Sequence, residues 1–484
     1  MIRLKDVNAA LDEAERHFET CWSYLVSIKR GQFKRDRVAP LVEFQPLLAS
    51  ALFGLATMHN SLAKERQERI DSKANYSRAW FARRMAFLAR QQRRIVEAVR
   101  LGQSIGDAYA WFFYQNEQDF LRQHALEPRG GVMSTGIGGI GELQFAKNVR
   151  MMGPHLVLHH CVTGMLRLGD VTLIDLNGFK VVGIGELKSH SDRPGHVTIS
   201  LSVLGSLPAP NLNGPADDGT VAAAQPDLIS RLSHAAKARL ERQMDRIRSS
   251  HTVAKKAPDS TIAIESEDRM QSFNTLLAKA TKSRVSTVRA GKGLTLLAYR
   301  LPTAPLSKRL GRSSGSRLPR GLVRGIANIA GKVQETMVPG RQDNALFIDS
   351  LYYGSNGAFD YLPGMTHPFW WPVDPDALKP LVFKQLVVCS MYNPAWLFKE
   401  LEATGFAVDT SNPREPQITR TFGDMQLKCE GIPFYFSAIQ RYLMDEQAVA
   451  NMLARVAEAA GTDSEPKRID LLFSQKFGRP DSAA

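Results

Sequence analysis

Apolar residues recur at three- and four-residue spacing through the first part of the chain, with almost no glycine or proline. This spacing places apolar side chains along one side of an α-helix, and it is clearest over residues 8–30, 45–71 and 77–104. Arginines lie among the apolar positions of the third run. They predict a solvated basic face on a core helix or, as the alternative, a phosphate-binding surface. The pattern predicts a helical N-terminal region over residues 1–127.

Apolar and β-branched runs follow a glycine-rich stretch at 128–145, which leads into a predicted short helix containing Glu142. The dipeptide Asn177-Gly178 lies between two of these runs and is a strong signal for a β-hairpin turn. Beyond them we predict a loop at 206–226, a basic helix at 227–250 and a second hairpin at 285–301. The runs that predict the central sheet are HLVLHHCV (155–162), DVTLIDL (170–176), KVVGIGEL (180–187) and HVTISLSVLG (196–205).

The rest of the chain starts with a basic segment rich in serine and glycine, which predicts a flexible linker over residues 305–339. Residues 128–304, ahead of this linker, form the predicted central domain. Strand-like and helix-like runs alternate after it, which predicts a C-terminal α+β region over residues 340–484. The strand-like runs are ALFIDSLYY (345–353), LVFKQLVVCS (381–390) and IPFYFS (432–437), and the helix-like runs are PAWLFKELEAT (394–404) and DEQAVANMLARVAEAA (445–460).

With 484 residues the chain is too long for one ordinary core, and its 44% hydrophobic and 23% charged residues are typical of a soluble globular protein. No run of about 18 apolar residues occurs, so no membrane span is expected. The four cysteines are far apart in sequence, which fits a reducing cytoplasm and gives no zinc motif. The net charge of +14 favours nucleic acid as a partner, with a soluble protein that is merely basic as the alternative.

Three ionisable residues lie at one end of the predicted hairpin. Asp170 begins the first strand, and with the turn centred at 177–178 we expect it opposite residue 185 and beside Glu186. Glu186 and Lys188 are two positions apart, so both side chains leave the same face of their strand. Two adjacent carboxylates raise each other's pKa unless a cation compensates them, and their oxygens suit Mg²⁺ or Mn²⁺. The alternative is a surface hairpin on which Glu186 and Lys188 form a simple ion pair.

Asp170 followed by the tripeptide Glu186-Leu187-Lys188 resembles the signature of the PD-(D/E)XK nuclease superfamily, which covers restriction-endonuclease-like enzymes. The predicted order of helix, strand, Asp-bearing strand, Glu-x-Lys strand, helix and strand is also similar to the core of that family, over residues 135–300. The resemblance implies an α/β fold with a restriction-endonuclease-like mixed sheet flanked by helices. It further implies hydrolysis of phosphodiester bonds with Mg²⁺ or Mn²⁺, with Asp170, Glu186 and the main-chain carbonyl of Leu187 as metal ligands.

Two more positions bear on this resemblance. Gly169 stands where the family pattern often has proline. Glu142 matches the additional acidic residue that many members carry ahead of the sheet, and the resemblance makes it an auxiliary catalytic residue. It gives Lys188 the role of orienting the attacking water or stabilising charge on phosphorus.

The expected substrate is DNA and the expected location is the cytoplasm, and either a homo-oligomer or a complex with a partner protein is compatible with the sequence. By analogy with large nuclease-like proteins, its context is antiviral defence or a mobile element. Two other functions fit the sequence: nucleic-acid binding without catalysis, and an interaction subunit of a larger bacterial assembly. The residues predicted to bind phosphates are Lys237, Arg239, Arg242, Arg246, Lys308, Arg309, Arg312, Arg317 and Arg320.

Two further patterns predict no separate site. Residues 136–141 fit GxGxxG formally, but no strand is predicted before them and no acid follows where a dinucleotide site requires one. His155, His159 and His160 lie in one predicted strand without a partner acid, and we interpret them as core or edge histidines.

Overall fold

The computed structural model of the protein describes residues 1–31, 39–127, 131–193, 196–205, 242, 245, 262–264, 267–310, 327, 336–351, 365–412, 416–422, 425–461 and 473–475. The chain forms two compact units. The first comprises Met1–Ala257 with Ala304–Ser314, and the second comprises Pro258–Thr303 with Gly315–Ala484. This division differs from the four predicted segments, because the N-terminal helices share a unit with the central sheet and residues 258–303 belong with the C-terminal region.

Four helices begin the first unit: α1 Leu4–Lys29, α2 Ala39–Asp71, α3 Arg78–Tyr114 and α4 Gln118–Leu126. In their core, Phe44 stacks on Tyr109 with ring centroids 4.2 Å apart, and the Tyr109 hydroxyl donates to the Leu41 carbonyl. The predicted helices are therefore present. The third continues past its predicted end at 104, because its last turns are buried on nearly all sides and lose the one-sided apolar spacing.

Two arginines of α3 contradict its interpretation as a one-sided basic surface. Arg94 is buried, and it donates to Asn8 Oδ1 at 2.9 Å and to the Ser307 carbonyl. Arg84 forms an ion pair with Glu65, whose side chain is almost fully buried. Long side chains can reach back into a bundle, so the spacing of the arginines alone does not tell which ones face solvent. The arginines exposed as predicted are Arg83, Arg90 and Arg93.

The helix α2 is the one helix of the described residues that is long and apolar enough to cross a membrane by length and composition. In its most apolar window, 56% of the residues are buried within the fold, where α2 packs against α1 and α3. The core helix of a soluble protein passes the same test, so α2 is consistent with a soluble protein.

A five-stranded antiparallel sheet follows the helix α5 Ile137–Asn148. Its strands are β1 Met151–Met152, β2 His155–His159, β3 Val171–Asp175, β4 Lys180–Arg193 and β5 His196–Gly205, and they lie side by side in chain order. The helix α5 covers one face of the sheet, where Phe145 and Val149 pack with Val171, Leu173 and Leu187.

The side chain of Gln45 joins α2 to the edge of β2 by hydrogen bonds, at positions that the short strand β1 does not pair. Its Nε2 donates to the Val157 carbonyl at 2.8 Å, and its Oε1 accepts from the His159 N–H at 2.7 Å. The carboxamide thus makes the two bonds that a neighbouring strand would make. This contact fixes the helices on the sheet, which explains why both belong to one unit.

The predicted hairpin between β3 and β4 is present, with a register one residue away from the expected one. Residues 176–179 form the turn, and the pairing shifts between Leu173 and Ile174 at a β-bulge. Val171, rather than residue 170, therefore lies opposite Gly185. A bulge adds one unpaired residue to a strand, and counting from the turn does not reveal it.

The second unit contains the other sheets and helices. Its strands are β6 Ile262–Ile264, β7 Val285–Arg289, β8 Leu294–Arg300, β9 Phe347–Leu351, β10 Leu386–Tyr392, β11 Ala407–Asp409, β12 Gln417–Phe422, β13 Met425–Cys429 and β14 Phe473–Gln475. They form the sheets β7-β8-β10-β9, β11-β12-β13 and β14-β6. Its helices are α6 Glu267–Lys282, α7 Pro375–Val382, α8 Ala395–Ala403, α9 Ile432–Tyr442 and α10 Glu446–Gly461.

The stretch IPFYFS, predicted as a strand, begins the helix α9. Gly431 has a left-handed backbone with φ of 75°, and Pro433 lies in the first turn, where its missing N–H costs no hydrogen bond. The buried positions Ile432, Phe436 and Ile439, of which the last lies beyond the six residues, follow a helical period. The six apolar residues by themselves are compatible with a strand, and the helical period becomes clear only when the residues after them are included.

The protein is a mixed α/β protein. The helix α5 and the strands β2, β3 and β4 follow the order expected from the resemblance, and the second hairpin at 285–301 is confirmed as β7 and β8. That hairpin pairs with β10 in the second unit, so it does not complete the sheet of the first unit as the prediction required. The predicted loop at 206–226 lies outside the described residues, and so does the helix at 227–250 except for Arg242 and Asp245.

Candidate functional site

Asp170 lies directly before β3 and is fixed on the neighbouring strand by two hydrogen bonds. Its backbone N–H donates to the Gly185 carbonyl at 2.8 Å, and its Oδ2 accepts from the Leu187 N–H at 2.7 Å. Gly169 before it has φ of 73°. Proline is restricted to φ near about −65° and cannot take this conformation. The departure from the family pattern at this position is therefore a consequence of the local turn.

Glu186 and Lys188 leave the same face of β4, as the two-residue spacing predicts. Lys188 Nζ donates to Glu186 Oε1 at 2.7 Å, and the side chains are 24% and 5% exposed respectively. Because Val171 pairs with Gly185, Asp170 comes next to Glu186 at the start of β3. The structure thus brings these three residues together, as predicted.

Glu142 reaches the same place from α5. Its neighbour Gly141 lies so close to β4 that a Cβ atom there would collide with the Cβ and Oγ of Ser189. The glycine therefore permits the close approach of helix and strand that sets Glu142 beside the carboxylates. The GxGxxG stretch therefore has a structural role. Gly136 is the N-cap residue of α5, and Gly141 allows the helix to pack closely on β4.

Burial, together with the negative charges of Glu186 and Glu142, raises the pKa of Asp170 to about 7 against the opposing hydrogen bond from Leu187. Burial also raises the pKa of Glu142 to about 7, together with the charge of Glu186, while Lys188 opposes the shift. The mutual effects show that these carboxyl groups are close enough to repel one another. One ammonium group leaves this negative charge incompletely compensated, which is the electrostatic condition for binding a cation.

The donor set suits Mg²⁺ or Mn²⁺, because Asp170 and Glu186 supply carboxylate oxygens. In an antiparallel strand the N–H and C=O of a residue point to the same side, so the Leu187 carbonyl points toward the side on which its N–H meets Asp170. Among the residues that the structure describes, no three His, Cys, Asp or Glu side chains are already arranged around one metal position. The site fits a divalent cation by charge and donor type, and Lys188 occupies one Glu186 oxygen.

A chain of buried hydrogen bonds supports the backbone before Asp170. His124 Nδ1 accepts from the N–H groups of residues 167 and 168, so its Nε2 carries the proton and donates to the Tyr114 hydroxyl at 3.2 Å. Tyr114 then donates to Thr172 Oγ1, and Thr172 donates to His160 Nε2, both at 2.7 Å. His160 Nδ1 donates to the Gly169 carbonyl at 3.0 Å.

Every hydroxyl and ring nitrogen in this chain has one assignment that is consistent with its neighbours. Burial lowers the pKa of His160 to about 3 and that of His124 well below its ordinary value, so both rings are neutral. The backbone N–H of His160 also donates to the backbone carbonyl of Asp170 at 2.8 Å. The chain therefore fixes both residues that precede β3. His159 and His160 are core histidines, as interpreted.

The predicted phosphate-binding residues are described only in part. Arg242 and Lys308 are exposed, which is compatible with that prediction. Arg309 is buried and forms an ion pair with Glu15, so its assignment to a flexible, DNA-binding linker is wrong. The segment packs because the one-turn helix Leu306–Arg309 is held on α1. The residues that lie outside the described ranges are Lys237, Arg239, Arg246, Arg312, Arg317 and Arg320.

A cavity of about 250 Å³ opens beside the acidic residues, between the helices and the loop that leads to β3. Glu142, Cys161 and Asp170 lie along its wall, and burial raises the pKa of the Cys161 thiol well above its usual value. Gln103 of α3 also lines it. No local pattern in the sequence marks Gln103, because it lies in a helix far from any motif.

No protein-family model, curated protein or solved structure matches this chain.

Proposed function

We propose that this protein is a divalent-metal-dependent nuclease that hydrolyses phosphodiester bonds, with DNA as the expected substrate and the cytoplasm as the expected location. The single observation that carries the proposal is the convergence of Asp170, Glu186, Glu142 and Lys188 at the start of β3. Their separate elements, two strands and a helix, bring three carboxyl groups and one ammonium group within electrostatic reach. The basic excess of the chain supports a polyanionic substrate.

Asp170, Glu186 and the Leu187 carbonyl would hold Mg²⁺ or Mn²⁺, which when bound lowers the pKa of a water and neutralises charge on a phosphate. The Leu187 N–H orients Asp170, and the hydrogen-bond chain through Thr172 and His160 fixes the backbone on which Asp170 stands. Glu142 adds negative charge from α5 and is placed to accept a proton from water, since its pKa of about 7 lies near physiological pH.

Lys188 has two tasks in this proposal. Its ammonium group holds Glu186 in place through the bond to Oε1 and lowers the pKa of both neighbouring carboxyl groups. With 24% of its side chain exposed it also reaches solvent, where it would donate to a phosphate oxygen or orient the attacking water. A methionine at this position would keep the aliphatic packing and lose both effects.

Incubation of the purified protein with plasmid, single-stranded DNA and RNA tests the proposal, in Mg²⁺, Mn²⁺ or EDTA. We expect cleavage in the presence of metal and none in EDTA. Glu186→Ala and Lys188→Met should each lower the rate by at least roughly a hundredfold, by analogy with the loss of one charge-stabilising group at an active site. Lys180→Met, at the start of the same strand, is the matched control and should cut normally.

Nucleic-acid binding without hydrolysis is the second candidate, favoured by the lack of three preassembled metal ligands among the described residues. It predicts salt-dependent binding that EDTA does not change. Wild-type protein that binds DNA and leaves it intact in both metals would establish this candidate. Cleavage that survives Glu186→Ala and Lys188→Met would instead place the activity elsewhere and refute the assignment of the site.

A further inference from the structure

Gln103 is largely buried, and its carboxamide makes no hydrogen bond to a described residue and is open to the cavity. Gln103 is 8% exposed, lies in the middle of α3 and lines the cavity beside the acidic residues. Within the described ranges, and apart from the solvent of the cavity, no side chain or backbone group pairs with it. A buried polar group normally has a partner, because leaving it without one is costly. An amide that faces a cavity and makes no hydrogen bond to the protein is available to pair with a ligand in that cavity.

The wall of the cavity combines polar and apolar groups. Leu52, Val99, Val132 and Leu166 contribute apolar side chains, from α2, α3, the segment before α5 and the loop ahead of β3. The volume of about 250 Å³ lies below the roughly 300–1,000 Å³ of pockets that hold drug-sized ligands. The cavity therefore fits one flat ring system with a polar edge, and not a long chain or a second protein.

Two of the candidate catalytic residues line the same cavity. They are Glu142 and Asp170. A ligand that enters would place one end beside these carboxyl groups and its ring beside the carboxamide. A nucleotide has this build, with a charged phosphate on one side and a planar base that has apolar faces and a hydrogen-bonding edge on the other.

We propose that this cavity binds a single unstacked nucleobase of the nucleic-acid strand, and that Gln103 pairs with the edge of that base. The inference rests on the proposed function, whose scissile phosphate would lie beside Asp170. A carboxamide has a donor next to an acceptor and pairs bidentately with adenine, so adenine is the expected preference. A base enters such a pocket only from a single strand, a frayed end or an extruded nucleotide, which makes single-stranded DNA the preferred substrate.

The test measures binding of fluorescein-labelled single-stranded oligonucleotides by anisotropy, with gels to confirm that the probe stays intact. A series carries one abasic residue at successive positions, and each is measured in EDTA and in Ca²⁺. We expect one position at which loss of the base weakens binding by roughly tenfold, the effect of a lost bidentate base contact. Gln103→Leu, which keeps the shape of the side chain, should weaken binding of the intact strand by a similar factor.

The decisive result is the combination of the two changes. If the base pairs with Gln103, the abasic residue has no further effect on Gln103→Leu, because both changes remove the same contact. Val99→Phe, which fills the cavity, should behave in the same way and serves as a second variant whose fold is checked by circular dichroism. Adenine at the sensitive position should bind more tightly than thymine to wild-type protein and equally to Gln103→Leu.

Any of three results would overturn the inference: penalties that simply add, an abasic series without a sensitive position, or no binding of DNA at all. The proposed function fails separately. If the sensitive position exists but wild-type protein never cuts in Mg²⁺ or Mn²⁺, base capture stands and hydrolysis does not. If wild-type protein cuts and Gln103→Leu shows additive penalties, hydrolysis stands and the base pocket does not.

Discussion

Replacement of Asp170 by asparagine should stabilise the protein, although Asp170 is central to the candidate site. Burial and the charges of Glu186 and Glu142 raise the pKa of Asp170 from 3.8 to about 7. The ionised side chain is therefore held in the folded protein at a cost. Asparagine has the same shape, and its carbonyl oxygen can still accept the Leu187 N–H that now meets Oδ2. The variant thus removes the repulsive charge and keeps the hydrogen bond.

The magnitude follows from the pKa change. One pKa unit corresponds to about 1.36 kcal/mol, so a pKa near 7 sets a ceiling of about 4 kcal/mol for Asp170 above neutral pH. Glu142 experiences the same repulsion, and protonation of either group relieves the other, which lowers the share of Asp170. We expect a gain of about 1–3 kcal/mol in the free energy of unfolding at pH 8, or roughly 2–4 °C in melting temperature for each kcal/mol.

The pH dependence has a definite sign. A carboxyl group with a raised folded pKa favours the folded state fully below its unfolded pKa, and this contribution is lost as pH rises toward the folded pKa. The advantage of Asp170→Asn should therefore be small near pH 4, grow between pH 4 and 7 and stay constant above. Mn²⁺ should raise the melting temperature of the wild-type protein at pH 8 and that of the variant much less.

Thermal unfolding of wild-type protein and variant, followed by circular dichroism from pH 5 to 8 in EDTA, measures this difference. Asp175→Asn is the matched control, because it removes a carboxylate from the other end of the same strand, where Asp175 Oδ1 accepts the Asn177 N–H. A variant less stable than wild type at pH 8, or a stabilisation equal at pH 5 and pH 8, would refute the reasoning. An equal gain in Asp175→Asn would show that the stabilisation does not come from the carboxyl groups around Asp170.

Three other substitutions test the supports of the site. Thr172→Val leaves buried donors and acceptors without partners, so it should cost about 1–3 kcal/mol in urea unfolding and lower kcat more than it changes KM. Thr172→Ser keeps the hydroxyl and should restore both, and equal effects of the two substitutions would contradict the hydrogen-bond chain. Gly141→Ala should cost about 1–3 kcal/mol because its Cβ meets Ser189, whereas Gly138→Ala, with open space around it, should be neutral or stabilising in the same melts. Gln103→Leu should change the melting temperature of the free protein little, since the carboxamide is open to the cavity and makes no hydrogen bond to a described residue, and a marked drop would mean that the amide has a partner.

The elements of the site were predictable from local pattern. The period of 3.6 residues in a helix and 2 in a strand is fixed by backbone geometry, so the spacing of apolar residues revealed the N-terminal helices, the strands and the hairpin. The same period placed Glu186 and Lys188 on one face of β4, which their ion pair confirms. In a short apolar run such as IPFYFS the periods of helix and strand cannot be distinguished, so the prediction of a strand there was wrong.

Only the tertiary structure decided how these elements meet. The bulge after Leu173 sets the register of Asp170, the contact of Gly141 with Ser189 sets the position of Glu142, and the burial of Arg309 removes it from the surface. Gln103 lines the cavity beside the site because α3 packs against the segment that leads to β3. Such contacts depend on packing between residues far apart in the chain, and no local period encodes them. The sequence by itself therefore determined which groups the protein could use, and packing determined which of them face one another.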